Sequence, residues 1–315
     1  MRIRKVLAVP LSTSVIVTAW LLLSQTTSAE QFSDWSAPQN LGPLVNSTTT
    51  EQHPALSPDG LSLYFVSDRP GGAGGTDLWA SHRDRPTSAW QAPVPITALN
   101  SPSSEFAPGF DPTGRWLFFG SEREGGCGDR DLWVSYRSDK KDELAWKPPV
   151  NLGCGQLSWP GFDDGPTYFR EDERDFGVLF FISDRPGGIG GRDVWMASHR
   201  DGGRFSAPVN VSELNSAADD TRPAVRSDGL EFVFGSLRTG SIPSGATLSN
   251  DLWSSSRAST SVAWSTPVNL VLLNTSATEG APALSKDGTT MVFNSNRPGG
   301  QGGLDLWVTT RTKTN

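Results

Sequence analysis

Cysteine and histidine are scarce: two of the first and three of the second in 315 residues. Two cysteines cannot build a cysteine-ligated zinc site, and three histidines leave no His-rich metal centre. An excess of positive charge is also missing. Lys and Arg total 27 against 34 Asp and Glu, a formal net charge of −7, which excludes the basic surface that nucleic-acid phosphates demand. Beyond residue 29 no stretch approaches the ~18 consecutive apolar residues of a membrane-spanning helix.

The apolar residues that do run together lie at the N-terminus. Arg2, Arg4 and Lys5 precede a stretch from Val6 to Leu23, and Thr27-Ser28-Ala29 gives a small-residue cleavage pattern before Glu30. Residues 1–29 are therefore expected to be a signal peptide. No cysteine follows the cut, so no lipoprotein anchor is indicated. Losing three cations leaves 24 against 34 acids, a net charge of −10. A periplasmic or secreted, acidic, monomeric protein is expected, with no membrane span and no nucleic-acid partner.

What is abundant is Gly (33), Pro (23) and Trp (12). Tight turns and large buried rings favour many short strands over helices. The sequence is also internally repeated. Pro54-Ala55-Leu56-Ser57-Pro58-Asp59-Gly60 recurs from Pro108, Pro223 and Pro282, with a degenerate copy from Pro166. Each unit continues through an apolar run such as Leu63-Tyr64-Phe65-Val66, a Ser-Asp-Arg-Pro-Gly-Gly segment and an Asp-Leu-Trp phrase (Asp77, Asp131, Asp193, Asp251 and Asp305 lead these). A Trp-x-x-Pro phrase closes it at Trp90, Trp146, Phe205 and Trp264. Asp-Gly and Gly-rich turns between short apolar runs are hairpin signals. Four strands per unit at this period predict the blades of a propeller.

The last unit stops at Thr310-Arg311 without its closing phrase, which instead stands alone at Trp35-Ser36-Ala37-Pro38. The fold class expected for residues 30–315 is thus all-β: one five-bladed β-propeller with four antiparallel strands per blade, closed by the N-terminal strand completing the last blade. Closure removes open sheet edges. The phrases Pro-Ala-Leu-Ser-Pro-Asp-Gly, Phe-Val-Ser-Asp-Arg and Asp-Leu-Trp resemble the WD-repeat-like blades of TolB-type β-propellers across essentially the whole mature chain. That resemblance implies the fold and an exported bacterial protein. TolB itself has six blades and an N-terminal α/β domain.

Strand direction places the Ser-Asp-Arg loops and the residues before each anchor proline on one face, here the top. An acid lies three residues before each anchor: Glu51, Glu105, Asp163, Asp220 and Glu279. Arg69, Arg123, Arg185, Arg238 and Arg297 repeat on the same face. A feature present in every blade reads as acid–arginine pairing that positions loops. The competing reading makes the acids a cationic-ligand site or a glycosidase acid–base pair, as some five-bladed propellers are glycosidases. Ligand contacts are better sought where the repeat breaks: His53 and Arg222 before their anchor prolines, the Asp163-Asp164 pair, and Trp159 in an insertion. Trp159 beside carboxylates would suit a sugar or cationic side chain, or simply pack a seam. The blade-four loop from Thr239 to Asn250 is also long.

Cys127 and Cys154 fall on the same face, and export makes a Cys127–Cys154 disulfide the expected pairing. Neither cysteine has a catalytic companion motif. The Gly-Gly-x-Gly-Gly loops precede strands, not helices, so they are turn glycines and not phosphate cradles. No cofactor is implied. Calcium stays open, because Asp-rich loops offer oxygen ligands, though the spacing is not that of an EF-hand. The expected function is non-enzymatic recognition of a protein, peptide or glycan, with ligand contacts from His53, Glu105, Trp159, Asp163, Asp164, Asp220 and Arg222. The alternatives are a carbohydrate-active hydrolase or lyase using the top-face carboxylates, assisted by His53, and a TolB-like envelope assembly factor.

Overall fold

Every repeat forms one antiparallel four-stranded sheet, and five such sheets stand around an axis. The structure, a computed structural model, describes residues 31–171, 176–200, 204–245 and 247–314. The expected signal peptide, residues 1–29, lies outside them. No helix occurs among the described residues.

In blade 1 the inner strand Glu51–Leu56 turns at Asp59-Gly60 into Ser62–Ser67, which pairs with Asp77–His82 and then Val94–Pro95. The turn is held locally: Asp59 accepts from the Ser57 hydroxyl and the Leu61 amide, while Gly60 takes a φ of 70° that a side chain would resist. Blades 2 to 5 begin with Glu105–Phe110, Asp163–Glu171, Asp220–Val225 and Glu279–Leu284. Each of these inner strands packs on its two neighbours, and the ring closes from the fifth back to the first.

The outer strands are short as regular ladders. Only two residues pair in each, as at Val150–Asn151 and Val268–Asn269. The neighbouring prolines offer no N–H to extend the ladder. The Trp of the phrase serves packing: Arg83, Arg137, Arg257 and Arg311 stack over Trp90, Trp146, Trp264 and Trp35 at 4.1–4.6 Å.

Five apolar cores fill the seams between blades. The seam of blades 1 and 2, for example, buries Tyr64, Leu78 and Ile96 against Phe119, Trp133 and Trp146. Each such side chain contributes about 1.5–3 kcal/mol of burial.

Closure runs as expected. Gln39–Asn40 pairs with Asp305–Thr310 as the outer strand of blade 5. Asn40 Nδ2 donates to Asp305 (2.8 Å), and Asn46 exchanges bonds with the Leu306 backbone. A second clasp was not expected: Gln31–Phe32 pairs with Lys313–Thr314. Cys127 and Cys154 are joined, with Cα atoms 5.4 Å apart, tying the glycine loop of blade 2 to the segment after its outer strand.

Candidate functional site

The repeated acids are consumed by the framework. Glu51, Glu105, Asp163, Asp220 and Glu279 are fully buried and pair with Arg69, Arg123, Arg185, Arg238 and Arg297 at 2.6–3.1 Å. Each arginine also donates to a carbonyl of the preceding segment (Val45, Leu99, Leu157, Leu214 or Leu273) and lies over a Phe and a Trp of its own blade, as Arg123 does over Phe119 and Trp133. The acid in turn accepts backbone amides four residues upstream, from Ser101 to Glu105, Trp159 to Asp163 and Ser216 to Asp220. Burial pushes the carboxyls of Glu105 and Asp163 above the usual range, against the pull of their arginines and hydrogen bonds. The structure thus places Glu105, Asp163 and Asp220 inside the blades, each paired with an arginine.

The Asp-Leu-Trp aspartates are likewise occupied. Asp77 accepts the amides of Ala73 and Gly74, and Asp131 those of Cys127 and Gly128. A Cβ at Gly72 would collide with the Asp77 carboxylate, and Gly71 has a φ of 104°, which together account for the glycine pair in that loop.

Trp159 is a packed loop residue. It is half-buried, and its Nε1 donates to Asp184 at 3.0 Å. The long loop of blade four forms a small hairpin, Pro243–Ser244 with Thr247–Leu248.

The residues that break the repeat converge elsewhere, on the axis. Every inner strand carries a bulge two residues after its acid, and the bulged residue has positive φ: His53 (54°), Ala107 (45°), Gly165 (64°), Arg222 (50°) and Ala281 (48°). Only one of the five is glycine, so four positions bear backbone strain of order 1–3 kcal/mol each. The bulges form a ring at the top end of an axial channel of about 140 Å³, whose walls below are the anchor prolines and the alanines that follow them.

Two of the ring residues are large. Arg222 makes a bidentate pair with the fully buried Asp164, at 2.7 and 3.2 Å. Asp164 also accepts from Arg130 Nη1 at 2.6 Å, so one carboxylate is shared by two guanidinium groups. Arg130 reaches Glu122 as well (2.7 Å) and lies between the rings of Phe106 and Phe162, with Arg192 on Phe162 at 4.1 Å. His53 sits beside Phe106, and its ring makes no hydrogen bond among the described residues; Nδ1 is buried without a partner. Burial, then the nearby charges of Arg222 and Arg130, hold the imidazole well below its ordinary pKa. Burial lowers Arg222 to about 10, with Asp164 opposing and Arg130 and Arg192 reinforcing the shift.

Of the seven residues expected to touch ligand, then, His53, Asp164 and Arg222 come together. Glu105, Asp163, Asp220 and Trp159 do not join them. Arg130, Arg192, Phe106 and Phe162 belong to the cluster and escaped sequence reasoning. A signal existed: Arg130 and Arg192 directly precede an Asp-Leu-Trp-type phrase, where the other blades carry Thr76, Asn250 and Leu304.

No family model matches the sequence, and no curated protein matches it. Solved structures do resemble it in shape. An α-L-arabinofuranosidase from Lactobacillus brevis has a TM-score of 0.58 at 13% identity, covering 87% of this chain and 93% of its own. An α-L-arabinofuranosidase from Podospora anserina, solved with cellotriose, has 0.56 at 12%, covering 89% and 97%. TolB from Acinetobacter baumannii reaches 0.46 at 15%, covering 85% of this chain and 55% of its own. At 12–13% identity the two arabinofuranosidases share the fold of this chain and nothing finer is established.

Proposed function

We propose that this protein is a recognition propeller that binds its ligand at the top end of the axial channel and does no chemistry on it. One observation carries the reading. The five repeated acids are spent in buried ion pairs, while the repeat-breaking side chains His53 and Arg222 line the axial channel and Asp164 pairs with Arg222 beside it. Asp164 is the acid next to the ring, and its carboxylate is taken up by two guanidinium groups. A glycosidase needs a second carboxyl at ~5–9.5 Å and one of the two protonated, and this pairing opposes both roles. The compartment we propose is the periplasm or the external medium, supported by the N-terminal segment and by the Cys127–Cys154 bond.

The test is a glycan and peptide array followed by calorimetric titration of the hits. A hit that binds without turnover and weakens in Arg222→Ala meets the proposal. No hit at all, or turnover of a hit, refutes it.

A second reading, a carbohydrate-active enzyme, is favoured by the shape neighbours named as α-L-arabinofuranosidases. Release of sugar from arabinan or arabinoxylan oligosaccharides, abolished in Asp164→Asn, would replace the first reading with this one.

A further inference from the structure

We infer that His53 and Arg222 form an anion subsite that takes the carboxylate of a small ligand held in the axial channel. The inference deepens the recognition reading and rests on it.

The repeat itself supplies the control. At the bulge, blades 2, 3 and 5 carry Ala107, Gly165 and Ala281, so a small residue satisfies the fold there. Blades 1 and 4 instead hold an imidazole and a guanidinium on the same strained backbone. Strain kept together with a large polar side chain, where alanine suffices, points to a role beyond architecture.

The charges point to an anion. Arg130 and Arg222 share Asp164, Arg130 also reaches Glu122, and Arg192, stacked on Phe162, adds a further positive charge near Arg222. Asp164 uses two of the five N–H donors on Arg222, which leaves others for a ligand. Neither ring nitrogen of His53 has a hydrogen-bond partner among the described residues. In its neutral form the ring offers one N–H and one acceptor. A carboxylate set between them would accept a charge-assisted bond from the guanidinium and a second bond from the imidazole.

The rest of the channel suits a compact body. Proline rings and alanines share its wall with Phe110 and Tyr168, and Lys286 adds one more cation to the lining. Asp111, on the channel lining, spends its carboxylate on Thr113 and on the amides of Arg115 and Trp116. It therefore does not compete for the guanidinium.

The experiment uses the mature protein with glucuronate, acetate and inorganic phosphate as probes, and glucose as the neutral control. His53→Ala, Arg222→Ala and the double variant each install the residue that blades 2 and 5 already carry, and circular dichroism checks that they fold. Affinity is read by calorimetry, and the His53 ring resonances by NMR. We expect glucuronate to move the His53 signals, to weaken by about tenfold or more in each single variant, and to lose binding in the double variant. Glucose should do none of this.

Equal binding of glucose and glucuronate, or unchanged affinity in Arg222→Ala, overturns the subsite. So does the absence of any His53 shift at millimolar probe. Phosphate binding more tightly than either carboxylate overturns the carboxylate assignment. A glycan or peptide that binds all four proteins alike removes the subsite and leaves recognition standing. Turnover of a bound ligand removes recognition and leaves the subsite standing.

Discussion

Replacing Arg123 by Met removes a guanidinium and keeps most of the stem that packs on Phe119 and Trp133. Three things are lost: the bond to the Leu99 carbonyl, the bond to Ser121, and the 3.0 Å pair with Glu105. Glu105 is fully buried, so its charge keeps only the Ser101 and Ser121 donors. Breaking one side of a buried ion pair costs ~3–5 kcal/mol. For a domain of this size, ~2–4 °C per kcal/mol translates that into a melting point roughly 6–20 °C lower. The deficit should depend on pH. Burial already raises the Glu105 carboxyl, and losing Arg123 raises it further. A folded-state pKa above the unfolded one means that stability is present at low pH and lost as pH rises through the folded value. The gap to wild type should therefore be widest near neutrality and shrink on acidification toward the carboxylate range. Urea unfolding of both proteins across that range checks it. A neutral-pH deficit below ~1 kcal/mol, or one that grows in acid, would show that the acid–arginine ring is not the framework element argued above.

Replacing Cys127 and Cys154 by Ser opens a loop of sequence separation 27 and should cost about 3–4 kcal/mol, read as a lower unfolding midpoint with an unchanged fold by circular dichroism. Trp159→Phe removes the bond to Asp184 and should cost ~0.5–1.5 kcal/mol while leaving ligand titrations as they were; a lost titration would restore Trp159 to the site. His53 titrates lower when folded than when unfolded, so its contribution to stability is lost as pH falls below ~6.5. Wild type should therefore lose stability faster than His53→Ala over that fall, and parallel curves would contradict it.

The sequence made the architecture legible because the repeat is written at fixed offsets. Each anchor proline, Asp-Gly turn and Asp-Leu-Trp phrase marks a strand end, and the stranded Trp35 phrase marks the seam. The length of the outer strands was not legible. Val150–Asn151 form the regular ladder and Lys147 and Leu152 each add one backbone bond beyond it, because Pro148 and Pro149 lack the N–H groups that would fill the gap. At the site, comparison among blades separated Arg222 and His53 from their small equivalents. It could not reveal which acids are spent. Asp163 and Asp164 are adjacent in sequence, yet alternation sends one into the blade toward Arg185 and the other to the axis between Arg130 and Arg222. Arg130 and Arg192 were not legible, because their partners Phe106, Phe162 and Asp164 come from other parts of the chain.

The seam of the fifth blade carries a kinetic consequence. Asn40 meets Asp305 across 265 residues, and Gln31 meets Thr314 across nearly the whole described chain. These are the most non-local pairings in the molecule, and loop-closure entropy must be met before they stabilise anything. Four blades can form from contiguous chain as it is made, whereas the fifth waits for its last strand, with the Trp35 segment unpaired until then. The interval before that strand arrives is when an open sheet edge is exposed, so the final thirty or so residues govern how much of the newly made protein escapes aggregation.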